Sequence, residues 1–150
     1  MDLTYTWTAR VRAESRKASR IHTRNHTFRV GPSLSFEPTD ELPSALEHLI
    51  GALAADLLHT FQMYARRARI PLDALELSLT CQLQNPLVHL GVIGEEGSAA
   101  IKIIEGTFYA SADAEPEVMR RLWQETLQRA PIYATLAKAC DVAIRFSPTP

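Results

Sequence analysis

Polar and apolar residues alternate through the first thirty positions. From Leu3 to Ala13 the apolar set Leu3, Tyr5, Trp7, Ala9, Val11 and Ala13 falls on one face, and threonines and arginines fall on the other. That period of two predicts a strand. A polar turn around Glu14 to Lys17 leads to a second alternating stretch, Ala18 to Thr23, and Asn25 marks a turn before the short run His26 to Val30. Gly31 to Asp40, with Pro32, Pro38 and two serines, reads as a connecting loop.

The period then changes to that of a helix. Leu46, Leu49, Ile50, Leu53, Leu57, Phe61 and Tyr64 recur at helical spacing. Pro43 and Ser44 supply the start, and Glu47, three residues after Ser44, completes a capping box. Arg66, Arg67 and Arg69 suit the C-terminal end of the helix dipole, and Pro71 ends the element. Around residues 49–58 the helix is apolar nearly all round, which predicts burial on most sides. One small sheet covers one face of a helix, so a second subunit is expected to cover the rest.

Alternation returns at Leu75, Leu77, Leu79, Cys81 and Leu83, a strand broken by Asn85-Pro86. Residues 87–93 read as a further extended stretch before the Gly94–Gly97 turn, and Ala99 to Ser111 as another strand. Pro116 opens a helix with Val118, Met119, Leu122, Trp123 and Leu127 on one side. Pro131 opens another, to about Lys138, and Cys140 to Phe146 reads as the closing strand. The predicted order is β-β-β-α-β-β-α-α-β, an α+β domain spanning residues 1–150.

Composition narrows the classes. A chain of 150 residues, 46% hydrophobic and 22% charged, suits one domain with its own core. The longest apolar run, Leu49 to Leu58, is too short to span a bilayer and contains Asp56. The first twelve residues alternate instead of forming an apolar block, so no secretory signal is expected. A reducing cytoplasm is the expected setting, with Cys81 and Cys140 as thiols. Residues 1–30 carry seven Lys/Arg against two acids, a local +5, whereas the other 120 carry nine against fifteen, −6. The formal net charge is −1 and no aromatic-interleaved basic motif is present, so neither nucleic acid nor a membrane is an expected partner. No spacing for a metal, a phosphate-cradling loop or a nucleophile elbow occurs, and no cofactor is expected.

Asp56 is the sharpest anomaly, a carboxylate between Ala55 and Leu57 in a helix otherwise built for burial. It is read as a binding or general acid/base group, or as half of a structural ion pair with an arginine. His59, at i+3, is close enough on the helix to partner it. Glu47 is the other candidate carboxylate, although its first role is at the helix start. Cys81 shares the leucine face of its strand, which marks a buried thiol, and Cys140 lies away from any helix N-terminus. Met63, Tyr64 and Trp123 are read as core.

Two segments resemble one family. PSALEHLIGALAAD (43–56) is similar to the P-S-P-x-E-L-L-L-A-A-L-A-x-C helix of the OsmC/Ohr proteins, the osmotically inducible and organic hydroperoxide resistance proteins. RAPIYATL (129–136) is similar to that family's C-P-[IV]-x-x-T-L helix start. The resemblance implies an intertwined homodimer with a buried central helix, and, in redox-active members, a peroxide-reducing thiolate paired with a resolving Cys. This chain carries Asp56 and Ala130 at those two positions. A carboxylate cannot enter the sulfenic-acid cycle. The resemblance therefore implies a degenerate, non-peroxidatic member that binds a small apolar or peroxide-like ligand at the interface, or does carboxylate chemistry there, with Asp56, Glu47 and His59 as the site. Two alternatives stand beside it: a thiol-dependent organic hydroperoxide reductase using Cys81 or Cys140, and a structural or regulatory dimer without catalysis.

Overall fold

A computed structural model describes residues 5–35 and 40–149, which form two compact units, Met1–His48 and Leu49–Pro150. Leu3 and Thr4 of the first predicted strand, and residues 36–39 of the predicted loop, lie outside the described residues.

The first unit is built on an antiparallel meander of β1 (Arg10–Ser15), β2 (Ala18–Thr23) and β3 (His26–Val30). The strand expected from Leu3 enters the ladder only at Arg10, opposite His22. The cause lies in its partner. β2 ends at Thr23, where the chain turns through Arg24, at φ 51°, and Asn25, so no strand remains to pair with Tyr5–Thr8. The Thr23 hydroxyl donates to the Thr8 carbonyl at 3.0 Å and closes that end. The other end is clipped by Gly31, whose N–H donates to Pro43 O at 2.9 Å and whose carbonyl accepts from Ala45 N at 3.2 Å.

The helix α1 (Ala45–Arg67) starts as its sequence predicts. Ser44 N donates to Glu47 Oε2 at 2.6 Å, and Glu47 N donates to Ser44 Oγ at 3.1 Å, a reciprocal capping box.

In the second unit, β4 (Leu72–Leu83), β5 (Ile101–Ala112) and β6 (Asp141–Thr149) make a sheet in that order. β4 runs antiparallel and β6 parallel to β5. The parallel return passes through α3 (Pro116–Arg129) and α4 (Pro131–Leu136). Residues 87–93 are not extended, contrary to the sequence reading. Asn85 and Pro86 act as N-cap and first residue of a one-turn helix, α2 (Pro86–His89), with Asn85 Oδ1 accepting from Leu87 N at 3.0 Å. Gly91, Gly94 and Gly97 then take positive φ and carry the chain back to β5.

The core of this unit is one cluster. Leu53, Leu57, Phe61 and Ala65 recur every four residues along α1 and are fully buried with Ile104, Phe108, Ala110 and Ala112 of β5 and Met119, Leu122 and Trp123 of α3. Four aromatic rings interlock within it. Phe61 meets Phe108 edge-on at 5.1 Å, Phe108 meets Trp123 at 5.0 Å, and Trp123 stacks on Phe146 at 5.4 Å. Each such pair contributes about 0.5–1.5 kcal/mol beyond burial. Gly106 lets β4 approach: a Cβ there would lie 1.8 Å from the Ser78 carbonyl oxygen.

The burial of α1 within this chain is one-sided. One face is buried, while Leu49, Ile50, Ala54 and Leu58 are half-buried and Gly51, Ala52 and Ala55 are exposed. No helix among the described residues is long and apolar enough to cross a membrane.

Candidate functional site

Asp56 stands midway along α1, between the buried Leu53 and Leu57, and is itself half-buried. Its Oδ2 accepts two backbone hydrogen bonds, from Ile132 N at 2.9 Å and from Tyr133 N at 3.2 Å. These are first-turn amides of α4, where N–H groups lack helical partners and the dipole favours a negative charge. Ala130 is the N-cap residue of α4 and has no side chain able to cap it, and Pro131 follows at the first position. The carboxylate from α1 supplies the missing cap from 76 residues away. Asp56 and the Ala130 helix start are thus brought together.

This corrects the partner expected for Asp56. Among the described residues no hydrogen bond or ion pair joins it to His59 or to an arginine. The amides win because they are preorganised donors at a dipole end, whereas an i+3 imidazole must be ordered on an open surface. His59 is exposed one turn further on. Glu47 is committed to the helix start through Ser44.

The two thiols sit elsewhere. Cys81 pairs with Ile104, which pairs with Val142 on the next strand, and Cys140 precedes β6 by one residue. Both pack against the core cluster and both are half-buried. Two strand spacings separate β4 from β6, about 9.5 Å. That exceeds the Cα separation of roughly 4.4–6.8 Å at which a disulfide closes. Burial pushes the Cys81 thiol up, and the neighbouring Cys140 adds to the shift. Both causes hold Cys81 in the protonated, poorly nucleophilic form. The Cys140 Sγ donates to the Leu136 carbonyl at 3.6 Å.

One feature near α4 was not legible in the sequence. The half-buried Tyr64 ring lies under two guanidinium groups, Arg67 at 5.1 Å and Arg129 at 5.4 Å. Arg129 also pairs with Glu125 at 3.2 Å. Trp123 is core as expected, while Met63 and Tyr64 are only half-buried. Among the described residues no group of His, Cys, Asp and Glu side chains is placed to hold a metal ion.

Comparison with known proteins agrees with the element order. The family model for OsmC-like protein matches residues 38–145. No curated protein matches the chain. Among solved structures, an OsmC-like protein from Mycoplasma pneumoniae aligns at TM-score 0.77 and 16% identity, over 100% of both chains. An OsmC-like protein of unknown function from Vibrio cholerae aligns at TM-score 0.78 and 11% identity, over 96% of this chain and 100% of that one. The organic hydroperoxide resistance protein OhrB of Bacillus subtilis aligns at TM-score 0.64 and 15% identity, over 95% and 98%. At such identities the likeness of structures speaks for the fold alone, but the family model covers most of the sequence, and the chain belongs to the OsmC-like protein family.

Proposed function

We propose that this chain is a non-peroxidatic OsmC-like protein, a homodimer whose interface pocket binds a small apolar or peroxide-like molecule without reducing it. The observation that carries the reading is the Asp56 contact. By resemblance, Asp56 and Ala130 occupy the positions of the attacking and resolving Cys in redox-active members. Here the Asp56 carboxylate accepts from the amides two and three residues after Ala130. It holds α1 to α4 as a disulfide could, yet has no sulfur to oxidise. With one oxygen given to two amides, Asp56 is better placed to position the start of α4 than to move protons. His59, exposed beside it, remains the group nearest in sequence for carboxylate-assisted chemistry.

The dimer is supported by the uncovered sides of α1, where Leu49, Ile50 and Leu58 alternate with exposed Gly51, Ala52 and Ala55. A cytoplasmic setting accords with two free thiols and with the absence, among the described residues, of a membrane-crossing helix.

The competing reading places peroxide reduction on Cys81 or Cys140. Thiol titration before and after exposure to organic hydroperoxide separates the two. The proposal expects both thiols to persist with no stoichiometric loss of peroxide. Loss of thiol matched by loss of peroxide would favour the competitor.

A further inference from the structure

The sheet of β1, β2 and β3 gathers arginines that are scattered in sequence. Cross-strand partners project from the same face of an antiparallel ladder, as does every second residue along a strand. Arg12 pairs with Arg20, and Arg20 with Arg29, so three arginines form a row across all three strands. Two residues along, Arg10 pairs with His22, and His22 with Thr27. Strands about 4.8 Å apart, with same-face neighbours about 6.7 Å apart along each, set four arginines in a patch roughly 10 Å by 7 Å at the backbone.

Like charges directly opposite one another destabilise a sheet. Among the described residues one carboxylate, that of Glu14, is paired with this row. Glu14, at the bulge between Ala13 and Ser15, pairs with Arg20, and with Arg29 at 3.0 Å. The Arg20 hydrogen bond, with Arg29 adding to it, holds the Glu14 carboxyl below the usual range. Among the described residues neither Arg10 nor Arg12 has an acidic partner, and both are exposed. Among the described residues of the ladder itself, four guanidinium groups against one carboxylate leave +3, while Asp40 and Glu41, with Lys17, line the cleft beside Arg29.

The geometry points to this face as a docking surface for the phosphate backbone of duplex nucleic acid, engaged without regard to sequence. Guanidinium forks match phosphate oxygens in paired hydrogen bonds. A duplex presents one negative charge per about 1.7 Å of axis, dense enough to meet several arginines of the patch at once. The described residues of the face include Arg, Glu, His and Thr, with the His22 imidazole as their one ring and no Phe, Tyr or Trp, so it has no row of rings for stacking successive bases of a single strand. It offers no apolar side chain for entry into a lipid surface either. The overall charge of −1 does not oppose this, because at about 0.1 M salt charges beyond roughly 10 Å are screened. Sequence order concealed the patch; ladder register assembles it.

The test is fluorescence anisotropy of a labelled duplex of about 20 base pairs and arbitrary sequence, titrated with the full chain at several salt concentrations. Three released counterions predict a log–log slope near −2.7, roughly a 40-fold loss of affinity between about 50 and 200 mM salt. Substituting both Arg10→Gln and Arg12→Gln should reduce the magnitude of that slope by about two. Glu14→Gln frees Arg20 and Arg29 and should tighten binding. Far-UV circular dichroism establishes that each variant is folded. The assignment is overturned by absence of binding at the lowest salt, or by undiminished binding in the folded Arg10/Arg12 variant. Glu14→Gln binding no tighter than wild type, or capture by phosphatidylserine vesicles while the duplex stays free, would overturn it equally.

Discussion

Asp56 concentrates the residue-scale argument. Its carboxylate serves two amides that have no other cap, so Asp56→Ala should leave both Ile132 N and Tyr133 N unsatisfied. The expected loss is about 1–3 kcal/mol in urea denaturation, with faster hydrogen exchange at those two amides. Asp56→Asn keeps an acceptor oxygen but gives up the charge, so its loss should be smaller than that of Asp56→Ala. Equal losses for both variants would mean that the acceptor is irrelevant. Cys81 gives a pH prediction. Its folded-state thiol titrates above the ordinary value of about 8.5, because burial and Cys140 disfavour the thiolate. The folded state therefore holds a proton that the unfolded state has already released. Stability is unaffected below that ordinary value and falls as pH rises through it toward the raised one. Cys81→Ala should flatten the alkaline decline seen by thermal denaturation between about pH 8 and 10. Gly106 is the third case. Its missing Cβ is what lets the Ser78 carbonyl approach, so Gly106→Ala forces β4 and β5 apart and should cost more than about 1 kcal/mol.

Among the elements, α1 was the most legible, because its cap, its period and its stop agree. Ser44→Ala removes the side-chain half of the capping box and should cost about 0.5–2 kcal/mol, read as a lower urea midpoint with an unchanged slope. β1 and α2 were harder for different reasons. Alternation from Leu3 onward was genuine, but the length of a ladder is set by its partner, and β2 turns back at Thr23. At α2, Asn-Pro ends β4 as read, but it also starts a helix, and the apolar run after it fits either period over so few residues. The pairing of Asp56 with the start of α4 was within reach of the sequence. By the resemblance, Asp56 and Ala130 stand where redox-active members carry two cysteines that bond, which implies that the two places lie close. The direct reading of the helix looked instead to i+3 and to arginines, and so named His59. Backbone amides as partners leave no mark in a pattern of side chains.

At the scale of the molecule, the family fixes the architecture, and the proposed chemistry rests on the two positions that Asp56 and Ala130 occupy by resemblance. α1 leaves half-buried leucines and exposed small residues outside its own core, and the proposed dimer would cover them. Sedimentation equilibrium at low micromolar concentration should find a dimer; a stable folded monomer would contradict that part of the account. The central claim is that the thiol chemistry is gone. Its most direct test is steady-state reduction of cumene hydroperoxide by the wild-type chain with a dithiol reductant. The account predicts no turnover above the uncatalysed rate, and some turnover once Asp56→Cys and Ala130→Cys are introduced together. Wild-type turnover that disappears with Cys81→Ser or Cys140→Ser would contradict it.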